Sequence, residues 1–253
     1  MEAVLGPDDP APPGYRRRIE LRAPDGRTVV ADLEDDFHRF RLTFSHDGTV
    51  ITGLDGEAIR YPWATCPEAE ARLRALVGTP LADRCTAVAQ HDDPKQNCTH
   101  LFDLAGLCST HALAGRKTRR YDAYVPEAVE RRTRPVLWRD GEAVLDWDVE
   151  KRTVVDGTPP FAGISLTGGF VRWADDTLDP EMAEAAIVLR RAWDIARARG
   201  RDLDVMVDAR PLAELLPGAC FTMQPDIAAR AARMTGTARD FAARPDLLLA
   251  DLS

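Results

Sequence analysis

Through the first sixty or so residues apolar and polar side chains alternate with a period of two, broken by Asp-Gly pairs at 25–26, 47–48 and 55–56. A period of two sends successive side chains to opposite faces of a strand, and Asp-Gly supplies the positive-φ residues of a tight hairpin turn. The pattern predicts an antiparallel meander over about 15–22, 28–34, 37–45, 49–54 and 57–61. Asp-Gly returns at 140–141 and 156–157, so R-P-V-L-W-R-D-G-E-A-V-L-D-W-D-V at about 134–149 reads as a second hairpin. F-V-R-W at 170–173 adds a further expected strand.

Elsewhere the apolar period lengthens to that of a helix. C-P-E-A-E-A-R-L-R-A-L-V-G carries Pro67 in a first turn with Glu68 and Glu70, and stops at Gly78. A second helix follows Asn97, with Asn97 or Thr99 as its N-cap and Leu101, Leu104, Ala105 and Cys108 on its buried face. The longest has Asp179 as N-cap, Pro180 at the first position and Gly200 past its end. Met182, Ala186, Leu189, Trp193 and Ala196 form its core stripe, and a last helix runs from Pro225 to about Met234. Hairpins with interspersed helices, and no regular strand–helix–strand alternation, indicate an α+β fold: an antiparallel, hairpin-rich sheet packed with about four helices. Residues 1–14, acidic and Pro-rich, read as a disordered lead-in. Residues 15–253 read as a single α+β catalytic domain, with a subdivision allowed near 116–133.

The formal charge of −8 argues against a nucleic-acid partner, because phosphate binding needs a basic excess. Arginines cluster at 16–18, 116–120 and 131–134, each near acids, and read as solvated strand or loop faces. No run approaches the roughly 18 apolar residues of a membrane span, and the N-terminus has no basic start followed by an apolar stretch. Five cysteines, an odd number, favour reduced thiols over a disulfide framework. These features lead to the expectation of a cytoplasmic protein without a membrane partner, compatible with self-association into a homo-oligomer.

Strand alternation places His38 with Phe40, Leu42 and Phe44 on an apolar face. It places Arg17 with Ile19 and Leu21, leaving Arg16, Arg18, Glu20 and Arg22 toward water. A histidine and an arginine ending inward rows suggest the mouth of a pocket, with Asp35 or Asp36 orienting His38; the bland alternative is a rim capped by Glu34, Asp35 and Asp36. The densest chemistry is N-C-T-H-L-F-D-L-A-G-L-C-S-T-H at 97–111. His100 and Asp103, three apart on a helix, can act as an acid–base pair. Cys98, at the helix start, is a candidate nucleophile because unpaired N–H groups there lower a thiol pKa, against the alternative of a small buried hydrophobe. His111 lies roughly 16 Å along the helix from His100, so the two cannot share a metal ion, nor can Cys98 and Cys108. A site assembled across elements from His38, Cys98, His100 and Asp103 stays open. No G-x-S-x-G elbow and no phosphate-binding loop occurs.

Y-R-R-R-I, E-D-D-F-H-R-F-R-L-T-F, P-W-A-T-C-P-E-A, L-x-x-L-V-G and C-T-H-L-F-D-L occur in that order. The set resembles an uncharacterised bacterial domain-of-unknown-function family showing H-x-M-x-x-R-L-T-x-D, P-x-x-C-P, L-V-G and G-C-T-H-L-x-E-L. The resemblance spans about residues 15–115 and, more faintly, the turn around Cys220. Asn97 stands where the family has glycine, Asp103 where it has glutamate, and the C-terminal half is longer. The family's histidine falls on His38, its turn cysteine on Cys66, its C-T-H on Cys98, Thr99 and His100, and its acid on Asp103. The resemblance implies a link to bacterial breakdown of lignin-derived aromatics, with lyases that release formaldehyde from a phenylpropanoid side chain. The resulting expectation is a carbon–carbon lyase that needs no cofactor and no metal and takes a small aromatic substrate. His38, His100, Asp103, Asp36 and Arg17 would be its catalytic groups, with Phe40, Tyr61, Trp63, Cys98, Thr99 and Phe102 around the substrate. A metal-dependent hydrolase or lyase using His38 and His100, or a non-catalytic small-molecule-binding module, are the alternatives.

Overall fold

The computed structural model describes residues 5–252. The chain divides into two compact units, each assembled from separate stretches. Unit I comprises Glu20–Arg119 and Asp202–Arg239; unit II comprises Met1–Ile19, Arg120–Arg201 and Asp240–Ser253. Strand β1 (Gly14–Arg22) passes from unit II into unit I at Ile19. The fold class is α+β with antiparallel strands, and the described residues contain four helical segments of eight residues or more.

In unit I, β2 (Thr28–Asp35), β3 (Arg39–His46) and β4 (Ile51–Arg60) form a meander. The β2–β3 register sets Val29 opposite Phe44, Ala31 opposite Leu42 and Leu33 opposite Phe40, which are all buried. This apolar face is covered by α1 (Thr99–Leu113), whose Leu101, Leu104, Ala105 and Cys108 are fully buried as the spacing predicts. Burying each large apolar side chain contributes about 1.5–3 kcal/mol, so this face is the main driving force for unit I. Asp47–Gly48 makes the β3–β4 turn, with Gly48 at φ 100°. Asp55–Gly56 does not turn the chain. Both residues continue β4, so the two expected strands are one, and Gly56 instead lets Leu101 pack where a Cβ would lie 3.2 Å from its Cδ1. Cys66–Leu76 is an extended 3₁₀ run rather than a regular α-helix, and ends before Gly78 at φ 88°. The returning stretch adds α4 (Arg210–Leu215) and α5 (Pro225–Ala228), so the helix expected to reach Met234 stops after one turn.

Unit II contains β5 (Thr118–Pro126, its first two residues in unit I), β6 (Arg132–Thr133), β7 (Val136–Arg139), β8 (Glu142–Glu150) and β9 (Thr153–Gly157). Asp140 and Gly141, at φ 54° and 88°, close the β7–β8 hairpin as their sequence requires. F-V-R-W is not a strand. It opens α2 (Phe170–Thr177) after Gly169 at φ 86°, with Phe170 and Ala174 buried one turn apart while Val171 and Arg172 are exposed. The helix period wins over the local β-propensity because the two glycines before it provide a start. Helix α3 (Pro180–Ala196) is capped by Asp179, whose carboxylate accepts from the Met182 N–H at 3.0 Å. Its Ala186, Leu189 and Trp193 are buried.

One sequence expectation fails here. Arg16 and Arg18 do not face water, being 2% and 6% exposed. Arg16 donates to the carbonyls of Pro7 and Asp9, and Arg18 donates to Asp122 at 2.7 Å and to the Leu248 carbonyl at 3.2 Å. Residues of the expected lead-in thus make hydrogen bonds, Tyr124 to the Pro12 carbonyl among them; residues 1–4 of it lie outside the described residues.

Candidate functional site

Strand β2 ends at Asp35 and β3 begins at Arg39, so only three residues turn the chain. Asp35 Oδ1 accepts the backbone N–H groups of Phe37 (2.8 Å) and His38 (2.9 Å), which fixes the turn and holds the carboxylate. The same oxygen lies 3.0 Å from His38 Nδ1. An ionised carboxylate only accepts, so against it His38 Nδ1 is the donor, the arrangement that a general base working through Nε2 would require.

Helix α1 brings the second imidazole. Cys98, not Asn97 or Thr99, is its N-cap, and no side chain caps it. The hydroxyl of Thr99 donates to the Ala219 carbonyl (3.2 Å), and the side-chain amide of Asn97 donates to Asp92 (2.9 Å). One residue on, the His100 ring stacks on Phe40 (centroids 5.4 Å, 10° between planes) and meets His38 at 3.9 Å between centroids. Its Nε2 lies 4.0 Å from Asp35 Oδ2. One carboxylate thus serves two imidazoles from different elements, with side-chain exposures of 0% for Asp35, 11% for His38 and 8% for His100.

The carboxylate reaching both rings is that of Asp35, which the sequence offered only as one of several acids beside His38. Asp103 is half-buried further along α1. Asp36 is fully buried, and its carbonyl accepts from the Arg239 N–H (2.7 Å) and from Arg60 (3.1 Å). Arg17 lies in unit II, where its Nε donates to the Tyr15 hydroxyl at 2.8 Å. Phe40, Trp63 and Phe102 are buried, and Tyr61 is half-buried just beyond β4.

Of the two readings of Cys98, its environment favours the small buried hydrophobe over the nucleophile. Burial pushes the Cys98 thiol up, with Cys66 and Cys220 adding to the shift against two helix N–H groups that lower it. Burial likewise pushes Cys66 up to about 12. A helix N-terminus contributes typically 0.3–1 kcal/mol to an anion, whereas full burial costs up to about 3–5 pKa units at 1.36 kcal/mol each. Desolvation wins, and both are neutral thiols.

The sequence missed the stretch that closes this side of unit I. The Phe221 N–H donates to the Asn97 carbonyl (2.9 Å) and the Met234 N–H to the Pro62 carbonyl (2.9 Å). The Thr65 and Thr222 hydroxyls meet at 3.0 Å, and Cys66 Sγ lies 3.8 Å from Thr222 Oγ1. Arg233 lies over the Trp63 ring (5.8 Å) and donates to the Pro62 carbonyl (2.8 Å). The turn around Cys220 was the only signal of this return.

Among the described residues no helix is long and apolar enough to cross a membrane. No curated protein matches the chain. Residues 23–114, the stretch that carries Asp35, His38, Phe40, Cys98 and His100, match the family model described as "Protein of unknown function (DUF2889)", so this part of the chain is similar to an uncharacterised domain family.

Proposed function

We propose that unit I is a catalytic domain in which Asp35, His38 and His100 move a proton, and that the reaction is a carbon–carbon cleavage releasing formaldehyde from an aryl-propanoid alcohol. The observation that carries the reading is the 3.0 Å contact of His38 Nδ1 with the buried carboxylate of Asp35, which leaves Nε2 as the proton acceptor. Phe40 stacked on His100 supports an aromatic substrate class. The lyase chemistry itself comes from the family resemblance.

In this mechanism the substrate's primary O–H gives its proton to His38 Nε2 while the C–C bond to that carbinol carbon breaks. The acceptor ring is first made in the substrate itself: the para-hydroxyl loses its proton, the benzylic C–O bond breaks, and the expelled aryloxide takes that proton to leave as a phenol. The carbinol then becomes formaldehyde, and the electrons of the C–C bond flow into the quinone-methide ring, which becomes a phenolate. No electron is gained or lost, so no redox partner is needed, and the proton on His38 returns to the phenolate. Tyr61 is a candidate donor toward that phenolate charge. His100, 3.9 Å from His38, holds the second ring against which the substrate is placed.

The test is formaldehyde trapping after incubation of the purified, chelator-treated chain with a phenylcoumaran-type dimer. Proton transfer to a positioned base is worth about 10²–10⁴ in rate, so His38→Ala falls by at least about 100-fold, with Asp35→Asn and His100→Ala also impaired. Equal release by the wild type and His38→Ala, each folded by circular dichroism, discards the proposal.

A further inference from the structure

Asp35, His38 and His100 are, among the described residues, the only three His, Cys, Asp or Glu side chains whose ligand atoms all lie within 4.8 Å of one another. They come from the end of β2, the β2–β3 turn and the first turn of α1, so their convergence results from the fold and not from a run of neighbouring acids. We infer that they form a binding site for one divalent transition-metal cation of the imidazole-preferring group: Zn²⁺, Co²⁺, Ni²⁺ or Fe²⁺. The inference rests on the reading of these side chains as the working centre, and it describes a second state of that centre: a cation on His38 Nδ1 displaces the hydrogen shared with Asp35 to Nε2, so the loaded centre does not use His38 as the base.

The donor set fits that class. Two imidazole nitrogens and one carboxylate oxygen suit borderline 3d cations, whereas Mg²⁺ and Ca²⁺ prefer all-oxygen shells. Zn–N and Zn–O bonds of about 2.0–2.2 Å put two ligands of a tetrahedral ion about 3.4 Å apart. The contacts here are 3.0 Å from His38 Nδ1 to Asp35 Oδ1 and 4.0 Å from His100 Nε2 to the other oxygen, Oδ2, and one ligand atom of each residue lies within 4.8 Å of the other two. Small rotations of the two rings bring one nitrogen of each to the distance a cation needs. The carboxylate is already held, since its Oδ1 accepts two backbone N–H groups, and such outer-sphere bonds orient a ligand before the ion arrives. Three protein ligands also leave a coordination position for an oxygen of a substrate or of water, as catalytic sites do.

The experiment is titration of the metal-stripped full chain with Co²⁺, read by its visible d–d absorption, and with Zn²⁺ by calorimetry. One equivalent binds to the wild type. His100→Ala and Asp35→Asn weaken binding by more than about 100-fold, since loss of a ligand exceeds the 10–100-fold of a lost outer partner. His91→Ala, an exposed histidine, leaves it unchanged. If a variant fails to fold, the wild-type Co²⁺ spectrum still decides: nitrogen and oxygen ligation supports the site, and thiolate charge-transfer bands overturn it. Absent or unchanged binding in the variants also overturns it. A chain that binds no cation yet releases formaldehyde sinks this inference and keeps the proposed reaction, and the opposite pair of results does the reverse.

Discussion

His111 closes the last turn of α1, where the helix dipole favours a positive charge. It is nonetheless held neutral: burial, with Arg116 and Arg119 repelling a proton, depresses its pKa to about 4. The unfolded chain takes up that proton near pH 6.5, so between 6.5 and 4 it binds more protons than the folded chain, and stability falls as pH falls through that window. Denaturant unfolding at pH 7 and pH 4.5 measures the effect. About 2 kcal/mol of the wild type's loss is absent from His111→Gln, after allowance for partial solvent screening. Equal slopes in both proteins contradict the assignment. The same competition explains which chemistry was legible residue by residue. His38 on the apolar face followed from strand alternation, and His100 from its place at the start of a helix. Asp35 could not be separated from Glu34 and Asp36, because what distinguishes it is a three-residue turn in which two N–H groups, those of Phe37 and His38, point at its carboxylate. Between a nucleophilic and a buried Cys98 the sequence left the choice open, since the segment that holds its neighbours Asn97 and Thr99 lies more than a hundred positions away, at Ala219 and Phe221.

Local signals read well where an element makes its own contacts. The Asp140–Gly141 hairpin and the Asp179 cap are set by residues adjacent in the chain, and both formed as expected. Asp55–Gly56 misled because the same dipeptide serves close packing as well as turning, and only the position of Leu101 tells the two apart. Gly106 shows this need for space at its most severe. A Cβ built there would lie 2.0 Å from the Cys85 carbonyl oxygen, a backbone atom that cannot swing away as a side chain does. In an open helix Gly→Ala stabilises by roughly 1 kcal/mol, but overpacking against backbone costs about 1–3 kcal/mol or more, so steric conflict wins here. Gly106→Ala therefore lowers the unfolding midpoint, and a shift of α1 carries His100 away from Asp35, weakening both formaldehyde release and Co²⁺ binding. Greater stability in Gly106→Ala would show that α1 is less tightly seated than its contacts indicate.

At the scale of the molecule, the family match ends at residue 114, whereas unit I is completed by Asp202–Arg239 after the chain has traversed unit II. Two arginines of this returning stretch hold it to the site-bearing part, and they do so in opposite settings. Arg230 makes a bidentate pair with Glu68 at 2.6 and 2.7 Å, with its side chain 52% exposed. Arg233, with its side chain 2% exposed, donates to the Pro62 carbonyl and Thr237, pairs with Asp204 and covers Trp63. Geometry alone ranks the Arg230 pair as the stronger link. Solvent reverses that order, because an exposed ion pair gains little over its hydrated partners, while removing a buried cation strands the groups it satisfied. Arg233→Ala is expected to cost about 2–4 kcal/mol in denaturant unfolding, from the unsatisfied Pro62 carbonyl, the lost Asp204 pair and the cavity over Trp63. Arg230→Ala is expected to leave the midpoint within experimental error. If the returning stretch is what closes the site, Arg233→Ala also makes Cys66 and Cys98 react faster with a thiol reagent under native conditions, while Arg230→Ala does not. A midpoint loss for Arg230→Ala as large as that for Arg233→Ala would mean that surface charge, and not burial, holds the two parts of unit I together.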